Sequence, residues 1–266
     1  MIVALVLLHG LHMDQDKTRL AADNELVRQW IVKTVGTEGA LSEPVSLDSQ
    51  TLSKVSQGRT FHSLHYPEYP VARMAPGPLG MRNVFTVGTN GEVALYKTRE
   101  ALRKDFVKQV SPVAKDDLQK VALDWAKVSS VFSQDGFFEF VFNSKNVVVQ
   151  DSSGHTVVTV VAPVVEKAGD KGELTATLTF TPVGGGSNLH LDTIFEKDTV
   201  QPGIRPICQC TLLLDKNPIV RKIAERDLLV MGEAAFPYMK EQMDKASPAL
   251  KREIERVRQR ILRGER

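Results

Sequence analysis

Apolar residues recur at two periods along this chain, and the change from one to the other organises it. Over residues 17–35, Leu20, Val27, Ile31 and Val35 repeat at helical spacing with Leu26 and Trp30 beside them. Asp16 or Asp23 supplies a cap and Gly36 a stop. Residues 36–56 are polar and carry no period. Residues 59–80 contain Pro67, Pro70, Pro76 and Pro78, which forbid a helix and predict an extended surface segment. Residues 81–96 read as two short strands around Thr89-Asn90-Gly91, an Asn-Gly hairpin signal. Two helices follow. Thr98 caps a run with Leu102, Phe106 and Val110 four apart, and Asp116 and Asp117 open a second. Its residues Leu118, Val121, Ala122, Trp125, Val128 and Phe132 keep the helical template throughout.

After Gly136 the period falls to two. Phe138, Phe140 and Phe142 share one face of a predicted strand, and a Val-rich run begins at Val147. Over residues 173–181, Leu174, Ala176, Leu178 and Phe180 alternate with Thr175, Thr177, Thr179 and Thr181. That alternation belongs to an antiparallel sheet with one wet face. Leu189, Leu191 and Phe195 continue the buried side beyond Gly184-Gly185-Gly186-Ser187. The predicted class is α+β, an antiparallel β meander covered by helices, with the look of a cystatin-like roll; the likeness is architectural and carries no function.

Beyond Asp215 the pattern is helical. Asn217-Pro218 and Ser247-Pro248 each pair an N-cap with proline at the first helical position. Ile219, Val220, Ile223, Ala224, Leu228 and Met231 form an apolar stripe ended by Gly232. The run Asn217-Pro-Ile-Val-Arg-Lys-Ile-Ala-Glu-Arg-Asp-Leu-Leu-Val-Met-Gly232, then Glu-Ala-Ala-Phe-Pro237, resembles a HEAT repeat. One repeat does not bury its own apolar face, so the resemblance implies docking on the preceding domain or on a protein partner. With Arg205-Pro206-Ile207-Cys208-Gln209 ahead of this tail, the whole chain resembles a group of uncharacterised bacterial proteins, from which no activity transfers. The expected divisions are an apolar leader or disordered segment over 1–16, an α+β domain over 17–213 and a HEAT-like segment over 214–266.

Composition narrows the function classes. With 42% hydrophobic residues, 25% charged residues and a net charge of +2, the chain is an ordinary soluble type. Its net field does not demand nucleic acid or an anionic membrane. Met1 to Leu8 is apolar but too short for a membrane span. As no Lys or Arg precedes it and no Ala-x-Ala follows, it leaves cytoplasm and export both open. No membrane-spanning segment is expected elsewhere.

Candidate chemistry is sparse. His9 and His12 with Asp14 and Asp16, or His62 with His65, offer too few converging ligands for a metal site. In extended chain His62 and His65 point to opposite faces, and strand packing is their default. His190 and Asp192 share a strand face, with Thr177 and Thr179 expected opposite them, and form the one polar cluster suited to a small ligand. Cys208 and Cys210 fall on one side of a predicted extended run and read as small core residues. Arg256, Arg260 and Arg263 form a basic stripe without aromatics, a weak nucleic-acid signal. Gly184 to Ser187 lacks the Lys and the following helix of a phosphate loop. The expectation is a non-enzymatic binding or scaffold protein without metal or cofactor. A small-ligand carrier or enzyme using the concavity of the sheet is the alternative.

Overall fold

The computed structural model describes residues 2–36, 43–66, 75–136, 138–152, 154–165, 169–184, 187–203 and 209–265. Its α+β part contains two antiparallel sheets. The first has the order β1 (Val45–Leu47), β2 (Thr60–His65), β3 (Arg82–Val87), β4 (Val93–Tyr96), with α1 (Ile2–Val35) against one face. The second runs β5 (Val113–Ala114), β9 (Asn188–Asp198), β8 (Glu173–Pro182), β7 (His155–Pro163), β6 (Val147–Ser152). Between the sheets lie α3 (Arg99–Gln109) and α4 (Leu118–Ser130), with the short α2 (Gln50–Val55) at their edge. No described helix is long and apolar enough to cross a membrane.

Local chemistry explains the middle layer. Thr98 Oγ1 accepts from the Ala101 amide at 3.2 Å and starts α3. α4 is buried around much of its circumference, as a helix covered on two sides must be. At its centre Trp125 is fully buried and stacks on Phe106 with ring centroids 4.7 Å apart. Trp125 Nε1 donates to Glu196 Oε1 at 2.9 Å, and Arg103 Nη1 donates to the other carboxylate oxygen at 2.8 Å. The sheet's inner carboxylate is thus fully occupied, as burial of a charge requires.

The predicted alternation on β8 holds: Leu174, Ala176, Leu178 and Phe180 are buried and the intervening threonines half-buried. At the base of that strand Gly172 has φ +109°, and an added Cβ would lie 2.4 Å from the Thr199 carbonyl oxygen. Only glycine permits this approach, which carries the Lys171–Gln201 bridge.

Several expectations are corrected. Two sheets stand where one meander was expected, because β1, α2 and β2 escaped the pattern. The β2 residues Thr60, Phe61 and His62 are buried in succession rather than extended over the surface. Among the described residues Phe138, Phe140 and Phe142 belong to no strand; Phe140 bridges to Val164, and Phe138 packs edge to face on Phe140 with centroids 5.4 Å apart. Asp23, offered as a helix cap, lies inside α1 and faces the sheet.

The helical tail consists of α5 (Gln209–Leu212), α6 (Pro218–Met231), α7 (Phe236–Lys245) and α8 (Pro248–Leu262). Asn217 and Ser247 cap α6 and α8 as the pattern predicts. The tail closes its own core around Cys210, Leu213, Leu228, Met239, Ile254 and Val257, so burial does not require the α+β part. Ile219 and Ile223, assigned to the buried stripe, are instead 67% and 44% exposed. Cys210 sits in a helical turn, not an extended run, and Cys208 lies outside the described residues.

Candidate functional site

The face that α1 turns to the first sheet is apolar at Val27 and Ile31 but polar one to two turns earlier, at Asp23 and Asn24. Opposite that break, β2 presents Thr60 and His62 on the same face as Leu64, because strand residues two apart share a side. The two polar sets interlock. Thr60 Oγ1 donates to Asp23 Oδ2 at 2.8 Å and lies 3.0 Å from His62 Nε2. His62 Nδ1 lies 3.1 Å from Asn24 Oδ1 and 3.2 Å from Ser46 Oγ. Asn24 Nδ2 donates to the Pro44 carbonyl at 2.9 Å, which fixes which end of the amide faces the imidazole. His62 is fully buried, and burial holds it down to about 4, opposed by the nearby Asp23 carboxylate.

Thr60 is also the floor of a cleft of about 510 Å³. α1 contributes Arg19 and Leu20 to it, and β1 contributes Leu47. The segment entering and forming α2 adds Ser49, Gln50, Thr51, Ser53 and Lys54; the turn before α4 adds Asp117, and α4 adds Lys120 from its first turn. Three cations therefore converge from segments far apart in sequence. Arg19 is held in place by donating to the Gly58 carbonyl and by Asp23, 3.5 Å from its Nε. Lys54 Nζ reaches Asp117 Oδ2 at 3.1 Å, while Lys120 is exposed and makes no ion pair among the described residues. The volume matches a small-molecule site, with hydroxyl donors beside the cations and two leucines on the wall.

Thr60, His62 and Asn24 imitate a nucleophile, base and orienting group. Two observations argue against that chemistry. The Thr60 proton points at Asp23 rather than at the imidazole. The imidazole is also held near 4, so it is a poor base at neutral pH. Cations and hydroxyls lining one cleft are instead what stabilises a bound anion.

The residues singled out from sequence lie elsewhere. His190 stands opposite Thr181, not Thr177 or Thr179, which pair with Phe195 and Thr193. Asp192 occupies a bulge in β9 that breaks the simple register, and its Oδ1 accepts from Thr181 Oγ1 at 2.9 Å. All four belong to the outer face of the second sheet, His190 exposed and the other three half-buried, away from the cleft.

The side chains of His9, His12, Asp14 and Asp16 lie outside the described residues. Among the described residues no group of three or more His, Cys, Asp or Glu side chains is placed to hold a metal ion. Burial pushes the Cys210 thiol up to about 11, so it is protonated and unreactive. Arg256 and Arg260 converge on Glu225, and Arg260 and Arg263 on Glu265.

The sequence did hold a signal for the cleft's floor. Asp23 and Asn24 fill positions three and four after Leu20, where the stripe demanded apolar residues. Comparison with family models, with curated proteins and with solved structures finds no match for this chain.

Proposed function

We propose that this is a non-enzymatic binding protein whose α+β part holds a small anionic molecule in the cleft between α1, α2 and α4. The convergence of Arg19, Lys54 and Lys120 on one pocket carries the reading. Asp23 beside Arg19 and Asp117 beside Lys54 offset part of that charge and leave Lys120 unpaired among the described residues, while Ser49, Thr51 and Thr60 add hydroxyls suited to an oxyanion. Calorimetric titration with sulfate at low ionic strength tests it, since the charge of that dianion is constant from pH 5 to 8. Lys120→Glu is expected to weaken binding about tenfold, as reversal of a charge near a partly exposed anion is worth about 1–2 kcal/mol. Lys251→Glu, at an exposed position of α8, is expected to change nothing. Equal effects of the two reversals would reduce the cleft to general surface charge.

A second reading concerns the tail. Under it, α6 and α7 form a HEAT-like pair that binds a protein partner, beside an α+β part resembling a cystatin-like roll where α4 crosses β7 and β8. Ile219, Ile223 and Val230, spaced along the exposed face of α6, favour it, because such a row on a helix is a surface awaiting cover. Ile223→Asp should then leave the isolated protein's unfolding free energy within about 0.5 kcal/mol of the original. A loss of 2 kcal/mol or more, read by urea unfolding, would show that the stripe is packed within the molecule.

A further inference from the structure

The hydrogen bonds beneath the cleft have a direction, and one position in them is incomplete. Asn24 Oδ1 is an acceptor, because the amide nitrogen of that residue is committed to the Pro44 carbonyl. The His62 nitrogen facing it, Nδ1, therefore carries the proton. Nε2 is then a bare lone pair facing Thr60 Oγ1, whose single proton is directed at the Asp23 carboxylate. Two acceptors compete for one hydroxyl proton. A second proton on His62 resolves the conflict. Nε2 would donate to Thr60 Oγ1, Thr60 would donate to Asp23, and each polar atom from Asn24 to Asp23 would have a partner of the right kind.

We propose that an anion entering the cleft and a proton binding to His62 do so together. The proposal rests on the anion-binding reading above. The two sites share Thr60, which lines the cleft and touches the imidazole. They also share Arg19, which lines the cleft and neutralises Asp23 from 3.5 Å. An anion beside Arg19 competes with Asp23 for the guanidinium. The carboxylate freed from that cation, and the anion itself, both favour positive charge on His62. By reciprocity, a proton on His62 must raise the anion's affinity by the same factor.

Among the described residues, Asp23 and Arg19 are the charges that face His62 or its partners. α1 presents Asp23 and Asn24, with Arg19 behind Asp23. β1 presents Ser46, and the β3 residue paired with His62 is Phe85. In the empty site burial keeps the imidazole neutral above about pH 4, so a proton is there to be gained.

Sulfate titration of the full chain between pH 7.5 and 5.0, in two buffers of different ionisation enthalpy, tests the proposal. The wild type is expected to take up protons on binding as pH approaches 5. Its affinity should rise at least threefold more over that range than that of His62→Gln, which should show no uptake. Should His62→Gln fail to fold, the wild type alone suffices. The NMR titration midpoint of His62 should move up by about 1.5 pH units or more in saturating sulfate, the shift that a threefold gain at pH 5 requires. Binding that Lys120→Glu weakens, but with no proton uptake and an unmoved His62 midpoint, overturns the coupling and leaves the anion reading standing. An absence of sulfate binding at every pH overturns both.

Discussion

Trp125→Ala is expected to remove about 4–5 kcal/mol of stability, the upper end of what a buried aromatic contributes when it is cut back to a methyl group. Two losses add here. The indole fills the space between the sheets, stacked on Phe106 and fully enclosed. Its Nε1 also satisfies one oxygen of Glu196, whose side chain has no solvent exposure. Removing the donor leaves a buried carboxylate partly unpaired, with only Arg103 to hold it. Trp125→Phe separates the terms. It keeps most of the volume and loses the hydrogen bond, at an expected cost of about 2 kcal/mol. Urea unfolding reads both values. A cost below about 1 kcal/mol for Trp125→Ala would mean that α4 is not enclosed between two sheets.

Acid should weaken the fold through His62 by roughly 3 kcal/mol between pH 6.5 and 4. The sign follows from which state binds the proton first. Burial holds the imidazole at about 4 in the native protein, against 6.5 for a free histidine. Above pH 6.5 both states are neutral and His62 gives no pH dependence. As the pH falls below 6.5 the unfolded chain protonates while the folded one does not, so stability declines. The decline from this group stops near pH 4, where the native imidazole is protonated as well. The comparison that isolates this group is with His62→Gln, whose stability curve should be flatter by that amount. Parallel curves for the two proteins would contradict the buried, neutral assignment. Saturating sulfate should flatten the wild-type curve if proton and anion bind together.

How much of this was legible before the fold depends on period and length. The helices α3, α4, α6 and α8 run for at least three turns with a consistent apolar face, and β8 alternates over its full length, so each could be read directly. β1 has three residues, too few to show any period. β2 packs α1 on one side and the middle helices on the other, so Thr60, Phe61 and His62 are all buried and no alternation survives. The prolines after His65 favour an extended surface segment, and β2 lies directly ahead of them. The tail's self-sufficiency was hidden because its core is completed by Cys210 and Leu213, which precede the helical repeat pattern.

The cleft was harder still. Arg19, Lys54 and Lys120 belong to three helices, and no spacing along the chain announces that they meet. What the sequence did carry was a local contradiction: polar Asp23 and Asn24 in an apolar stripe, and a histidine between Phe61 and the buried Leu64. Breaks of that kind mark sites where packing yields to another requirement. The polar pair His190 and Asp192 obeyed the alternation rule instead, and the bulge at Asp192 serves the strand register and a bond to Thr181.

The central claim, that the pocket beside Thr60 takes an anion, is tested most directly by amide chemical shifts of isotope-labelled protein titrated with sulfate at low ionic strength. The largest saturable shifts should fall on Arg19, Leu20, Gln50 to Lys54, Thr60 and Lys120. Small shifts that grow linearly with salt, spread over the exposed lysines of α3 and α8 as much as over these residues, would contradict it.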